Sequence, residues 1–218
     1  FEARAQRPFV NGISFLASYA YNHETRQEWF DDLAQYTVLK SEGEEGWQWR
    51  PVADVPRHRF TAAVTWQLPF GQDRKYGSTM PTALDWVIGG WQYSLSTRTY
   101  SGRPLLFGTS YVVTGNPKID NPTRGKWFDT SMFAVADVYT PRSNPWYYDG
   151  LNGPGWTITD MTLTKMFNFG SRYRLEARVE AYNAFNQIIW DNPDLAIASS
   201  NFGKVTRKQV EAIIGTAK

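Results

Sequence analysis

Residues able to do covalent chemistry are few in this sequence. It holds two histidines, His23 and His58, and no cysteine, which excludes thiolate nucleophiles, disulfide frameworks and any His/Cys cluster with metal-ligand spacing. His58 sits between Arg57 and Arg59 where a strand begins and reads as a rim residue, not a ligand. The acidic run Ser41-Glu42-Gly43-Glu44-Glu45-Gly46 lacks the Asp/Asn repeat of a calcium loop and reads as a solvated charge run. Asp31 and Asp32 are sequence neighbours, and nothing fixes them at an acid/base separation. A phosphate loop and a nucleophile elbow are both absent. The chain is therefore read as a non-enzyme without cofactor or metal.

Two constellations are better suited to binding. The clusters Trp47-Gln48-Trp49 and Trp146-Tyr147-Tyr148 make Trp47, Trp49, Trp146, Tyr147 and Tyr148 candidate ligand-binding residues. Such side chains stack on a sugar or hold an apolar ligand; their plainer use is to pin loops to one another. The second constellation is a charged row, Arg174, Glu176, Arg178 and Glu180, alternating with Tyr173, Leu175, Ala177, Val179 and Ala181. In a soluble sheet that row is the solvated face. In a barrel it is a lumen-facing ladder of opposite charges, each able to pair across strands. Arg59 and Arg98 stand in equivalent places on other strands, giving six candidate lumen-facing residues.

These residues need strands to position them. Six segments alternate with period 2 over the roughly ten residues that a tilted membrane strand requires: near 12–23, 57–70, 86–107, 157–168, 172–183 and, with poor alternation, 204–217. Tyr19, Tyr21, Trp66, Trp86, Trp91 and Phe167 lie near strand ends, where interfacial aromatic belts form. The composition agrees, with 10 Trp, 12 Tyr and 13 Phe in a chain of negative mean hydropathy, −0.49. A net charge of +2, with no basic run interleaved with aromatics, argues against nucleic acid. No apolar run approaches the 18 or so residues of a membrane helix. The chain opens without an initiator Met or signal peptide and reads as a fragment or processed piece.

Alternation alone leaves a membrane barrel and a secreted carbohydrate-binding β-sandwich nearly equal. The connections separate them. They span 24–56, 71–85, 108–156, 169–171 and 184–203, a long–short rhythm matching extracellular loops and periplasmic turns. On that reading 24–56, 108–156 and 184–203 are extracellular and 71–85 and 169–171 periplasmic. Six strands cannot close a barrel, for which about eight is the minimum. Arg7 to Gly12 sets a turn signal directly against the first strand. No room is expected there for a preceding strand pair, and residues are expected to be missing near 7–12 and after 218.

Six ordered motifs carry a family resemblance. They are Gly12-Ile-Ser-Phe-Leu-Ala-Ser-Tyr-Ala-Tyr21; Arg57-His-Arg-Phe60 leading to Leu68-Pro-Phe-Gly71; Gly89-Gly-Trp-Gln92 leading to Ser101-Gly-Arg-Pro104; Gly153-Pro-Gly-Trp156; Glu180-Ala-Tyr-Asn-Ala-Phe-Asn186; and Asn201-Phe-Gly203. Together, over about residues 12 to 207, they resemble the C-terminal barrel region of TonB-dependent receptor-like (Oar-like) outer-membrane proteins, abundant in Acidobacteria. The resemblance implies an all-β, antiparallel transmembrane barrel of about 22 strands with a separate plug. It also implies outer-membrane lipid and the TonB complex as partners, and an unidentified ligand taken up through the barrel. This chain departs from the pattern in lacking a plug, a TonB box and a terminal aromatic. A passive, structural or adhesive surface barrel is the alternative within the same class.

Overall fold

The computed structural model describes residues 1–30, 46–52, 55–72, 74–108, 111–137, 145, 147–169 and 172–209. These fall into two compact units, one of residues 1–21, 58–100 and 157–187 and the other of 22–57, 101–156 and 188–218.

The first unit is built on one antiparallel sheet of six strands. These are β1 (Glu2–Val10), β2 (Ile13–Tyr21), β5 (His58–Gln67), β6 (Trp91–Tyr100), β9 (Trp156–Phe169) and β10 (Tyr173–Ala181), hydrogen-bonded in that order. Each is 9 to 14 residues long, the length of a tilted membrane strand. They form a single sheet rather than two facing ones, which disfavours the β-sandwich among the described residues. β2, β5, β6, β9 and β10 fall largely within predicted segments. The segment 86–107 overreached at both ends, because Trp86 belongs to helix α1 (Thr82–Ile88) and β6 ends at Tyr100. Gly89 and Gly90 separate the two elements, and the positive φ of Gly90 marks the change of direction. Of the predicted strand 204–217, residues 204–209 contain no strand beyond a bridge from Lys208 to Trp190; the remainder lies outside the described residues.

β1 corrects the expectation that nothing precedes the Gly12 strand and that residues are missing near 7–12. It pairs with β2 from Glu2↔Ala20 to Val10↔Ile13, with a register shift between Arg7 and Val10. Pro8 lies within that shift, where a missing N–H costs the ladder least. The turn is Asn11-Gly12, both with positive φ (53° and 81°), the conformation that a two-residue type I′ hairpin demands. The hairpin is therefore continuous and tight.

Register fixes the faces, since paired residues share one side. Phe15, Val64 and Leu95 are linked in register, as are Tyr19 with Phe60 and Trp66 with Tyr93. On β9 and β10, Leu163 pairs with Val179 and Phe167 with Leu175. One side is thus mostly apolar, interrupted by Arg7 opposite Phe15, by Thr97 and Thr99 hydrogen-bonded to Thr159 and Thr157, and by Lys165 opposite Ala177. Its aromatics form two bands, Tyr19, Tyr21 and Phe60 toward one rim and Trp66, Trp91 and Phe167 toward the other. On β5 the bands are six residues apart, roughly 20 Å along the strand, close to the ~25 Å apolar band of outer-membrane barrels.

The second unit gathers the connections that leave β2, β6 and β10. Its core is Leu105, Phe107, Phe128, Tyr148 and Leu151, with Trp127, Phe133, Leu195 and Phe202 packed against it. Phe107, Phe128, Phe133 and Phe202 meet at centroid separations of 5.2 to 5.5 Å, several of them edge-on, the preferred aromatic geometry. Two short two-stranded sheets belong here: β3 (Thr25–Phe30) with β4 (Gly46–Pro51), and β7 (Tyr111–Val113) with β8 (Phe133–Val135). The predicted loop 24–56 thus carries a hairpin. A 3-10 turn at Thr130–Met132 is capped by Asp129, whose side chain accepts the Ser131 N–H.

The ordered motifs gain a physical meaning in this unit. Gly102 and Gly153 bring two chain segments together, and a Cβ on Gly102 would overlap the Gly153 carbonyl oxygen. Pro104 bridges Asn152, and the Gly153 N–H donates to Arg103 O at 2.8 Å. From the last motif Phe202 enters the core, while Gly203 O accepts the Trp127 N–H at 2.8 Å.

Candidate functional site

The other side of the sheet carries the polar residues. Ser18 and Thr61 share a hydrogen bond of 2.7 Å across β2 and β5, and Ser94 Oγ donates to Thr65 Oγ1 across β5 and β6 at 3.4 Å. Small hydroxyls paired in this way satisfy one another.

All six residues predicted to face a lumen lie on this side. The Arg59 guanidinium stands over the ring of its register partner Tyr100, 5.3 Å from the centroid. Arg98 forms an ion pair with Asp160 at 3.3 Å. On β10, Arg178 binds Glu176 at 2.6 Å and Glu180 at 3.4 Å. This corrects the ladder as predicted: the β10 charges pair along their strand, because their register partners on β9 are Met166, Thr164 and Thr162, which are uncharged. Arg174 is opposite Asn168. With Gln67, Arg74 and Gln92, these two line a cleft of about 260 Å³. Asp160 also accepts the Asn183 N–H at 2.9 Å, tying the wall to the turn that ends β10. Its two partners, Arg98 and Asn183, lie far along the chain, where no local pattern links them to Asp160.

The aromatic candidates that the structure describes stand in different settings. Tyr148 is buried in the core of the second unit, edge-on to Phe107 at 5.7 Å. It is therefore a packing residue, and its proposed contact with a ligand is withdrawn. Tyr147 beside it is half-buried. Trp49 is exposed on β4, opposite Gln27. Trp47 is on the same strand, opposite Trp29 in backbone register. Trp146 and the acidic residues 41–45 lie outside the described residues.

Two carboxylates fix turns in the second unit. Asp194 accepts from the Ser199 hydroxyl at 2.5 Å and the Ala196 N–H at 2.9 Å. These bonds, the hydroxyl foremost, hold it below the ordinary carboxylate range. Asp129 is lowered in the same way by Ser131 and then Lys126. At the rim of the first unit, His58 Nδ1 is hydrogen-bonded to the Tyr19 hydroxyl at 2.7 Å, the rim role expected of it. Among the described residues no group of three or more His, Asp or Glu side chains is placed to hold a metal.

Comparison with known families matches residues 1–212 to the family described as an outer membrane beta barrel domain. Comparison with curated proteins and with solved structures found no match.

Proposed function

We propose, for a chain that belongs to the outer membrane beta barrel domain family and so resides in the bacterial outer membrane, that it forms part of the barrel of a TonB-dependent receptor-like transporter. The observation that carries this reading is the two-faced sheet: an apolar side with two aromatic bands, and a polar side with hydroxyl pairs and compensated charges. An apolar side of that height suits hydrocarbon, and a polar side suits a water-filled interior. Among the described residues, β1 and β10 each have one unpaired edge. An open edge in lipid costs several kcal/mol per unsatisfied group, so further strands complete the barrel, about 22 in the family resembled.

The connections leaving β2, β6 and β10 are extracellular on this reading, and the tight turns periplasmic. Trp47, Trp49, Trp146 and Tyr147 remain the candidates for first contact with the unidentified ligand. Arg59, Arg98, Arg174, Glu176, Arg178 and Glu180 line its path. The order of the sequence motifs supports the receptor-like assignment and the TonB complex as partner. Planar-bilayer recording on the full-length protein tests it. A plugged receptor shows no steady conductance, whereas a continuously open pore would contradict a plugged receptor and favour a passive barrel.

A further inference from the structure

Helix α1 is short, about 10 Å at 1.5 Å per residue, and its residues divide sharply by role. Asp85 is turned toward the chain: its carboxylate accepts the Gln72 N–H at 2.6 Å. Trp86 packs edge-on against Phe169, 5.4 Å between centroids. The Trp91 indole N–H donates to Val87 O at 2.9 Å. Lys165, buried in β9, donates its ammonium to the Gly89 carbonyl just past the helix end. There it lies near the rings of Trp91 and Phe167, at 5.5 and 5.0 Å, and favours the negative end of the helix dipole. Trp91, Lys165, Phe167 and Phe169 all belong to the apolar side of the sheet, so α1 is fastened to the lip of that side.

Leu84, Val87 and Ile88 are left outward. They stand at i, i+3 and i+4, which is one stripe of a helix. All three are exposed, Val87 by 67%. No charge interrupts the stripe, since Asp85 is bonded to the turn and Lys165 is buried. It continues the lipid-facing surface past the last aromatic band.

We propose that α1 is an interfacial anchor whose Leu84–Val87–Ile88 stripe enters the headgroup–acyl boundary of the phospholipid bilayer at the rim of the tight turns. This rests on the reading that the apolar side of the sheet meets lipid. Lys165 serves it by holding the helix to the sheet while its charge is screened from the hydrocarbon.

Single cysteines, placed within residues 1–218 that hold none and in a full-length protein freed of any other cysteine, carry a polarity-sensitive fluorophore in phospholipid nanodiscs. Val87→Cys is the test position, with Leu163→Cys and Glu176→Cys as references for the apolar and polar sides. At Val87→Cys the expected result is blue-shifted emission, shielding from aqueous iodide, and stronger quenching by lipid nitroxides near the headgroup than at the chain end. Ile88→Cys is expected to match it, which guards against a single disturbed variant. Iodide-quenched, nitroxide-silent emission at positions 87 and 88, with Leu163→Cys quenched by lipid, would overturn the anchor and leave the lipid-facing side standing. Deep quenching by the chain-end nitroxide would overturn the interfacial placement. Iodide quenching at Leu163→Cys would overturn the reading beneath both.

Discussion

On β10, Val179 is 70% exposed, whereas Phe128 in the unit formed by the long connections is fully buried, at 0%. Both are apolar side chains of one chain, yet only one has found a protein interior. The connections fold as a small water-soluble domain does, around interlocking rings. Phe15, Phe60, Trp66, Leu163, Leu175 and Val179 on the sheet's apolar side are all exposed, and in water they would form a patch of the kind that marks an interaction surface. On the proposed reading, lipid takes for the sheet the place that packed side chains take in the connections.

Five substitutions sharpen or break this contrast. Phe128→Ala removes a fully buried ring and is expected to cost about 3–5 kcal/mol. The loss should be confined to the second unit, read as rapid proteolysis of the connections while the barrel keeps its heat-modifiable migration. Equal loss in both would show one shared core. Leu163→Arg on the apolar side is expected to cost about 2–4 kcal/mol at mid-depth in a bilayer, measured by urea unfolding from vesicles. Its neighbour Thr162→Arg, on the polar side, is expected to cost much less, and similar costs would erase the distinction between the sides.

Asp194→Asn is expected to cost about 1 kcal/mol in the second unit at neutral pH. Because the folded carboxyl is lowered from its ordinary value of 3.8, its contribution is complete above that pH and is lost as pH falls through the folded value. Stability curves of variant and native protein should therefore converge in acid; divergence there would refute the Ser199 contact. Arg98→Gln breaks a partly exposed pair with Asp160 and is expected to cost less than about 1 kcal/mol, shown by a small shift of the same urea midpoint.

How legible each region was follows from what shapes it. The strands of the sheet were readable because alternate large apolar residues repeat along them, as in Phe60, Ala62, Val64 and Trp66. β1 escapes because the side it shares with Phe15 and Tyr19 carries Ala3, Ala5 and Arg7, two small residues and a charge that make no apolar stripe, although Asn11-Gly12 is a strong hairpin signal. α1 was read partly as strand because its seven residues allow two turns at most, too few to set period 3.6 against period 2. The second unit was nearly opaque. Phe107, Phe128 and Phe202 meet from three separate stretches, and no local pattern reports such a core; Tyr148 was therefore assigned to a ligand when it packs against Phe107. The charged row falls on the side away from Leu175 and Val179, as alternation requires, but its pairing depends on which residues β9 sets beside it.

The most direct test of the central claim is thiol accessibility along β10. Single cysteines at positions 173 to 180, in the full-length protein in the outer membrane, are treated with a hydrophilic maleimide. Reactivity should alternate, high at 174, 176, 178 and 180 and low at 173, 175, 177 and 179. Uniform reactivity, or the opposite alternation, would contradict a sheet with one side in lipid and the other in a polar interior.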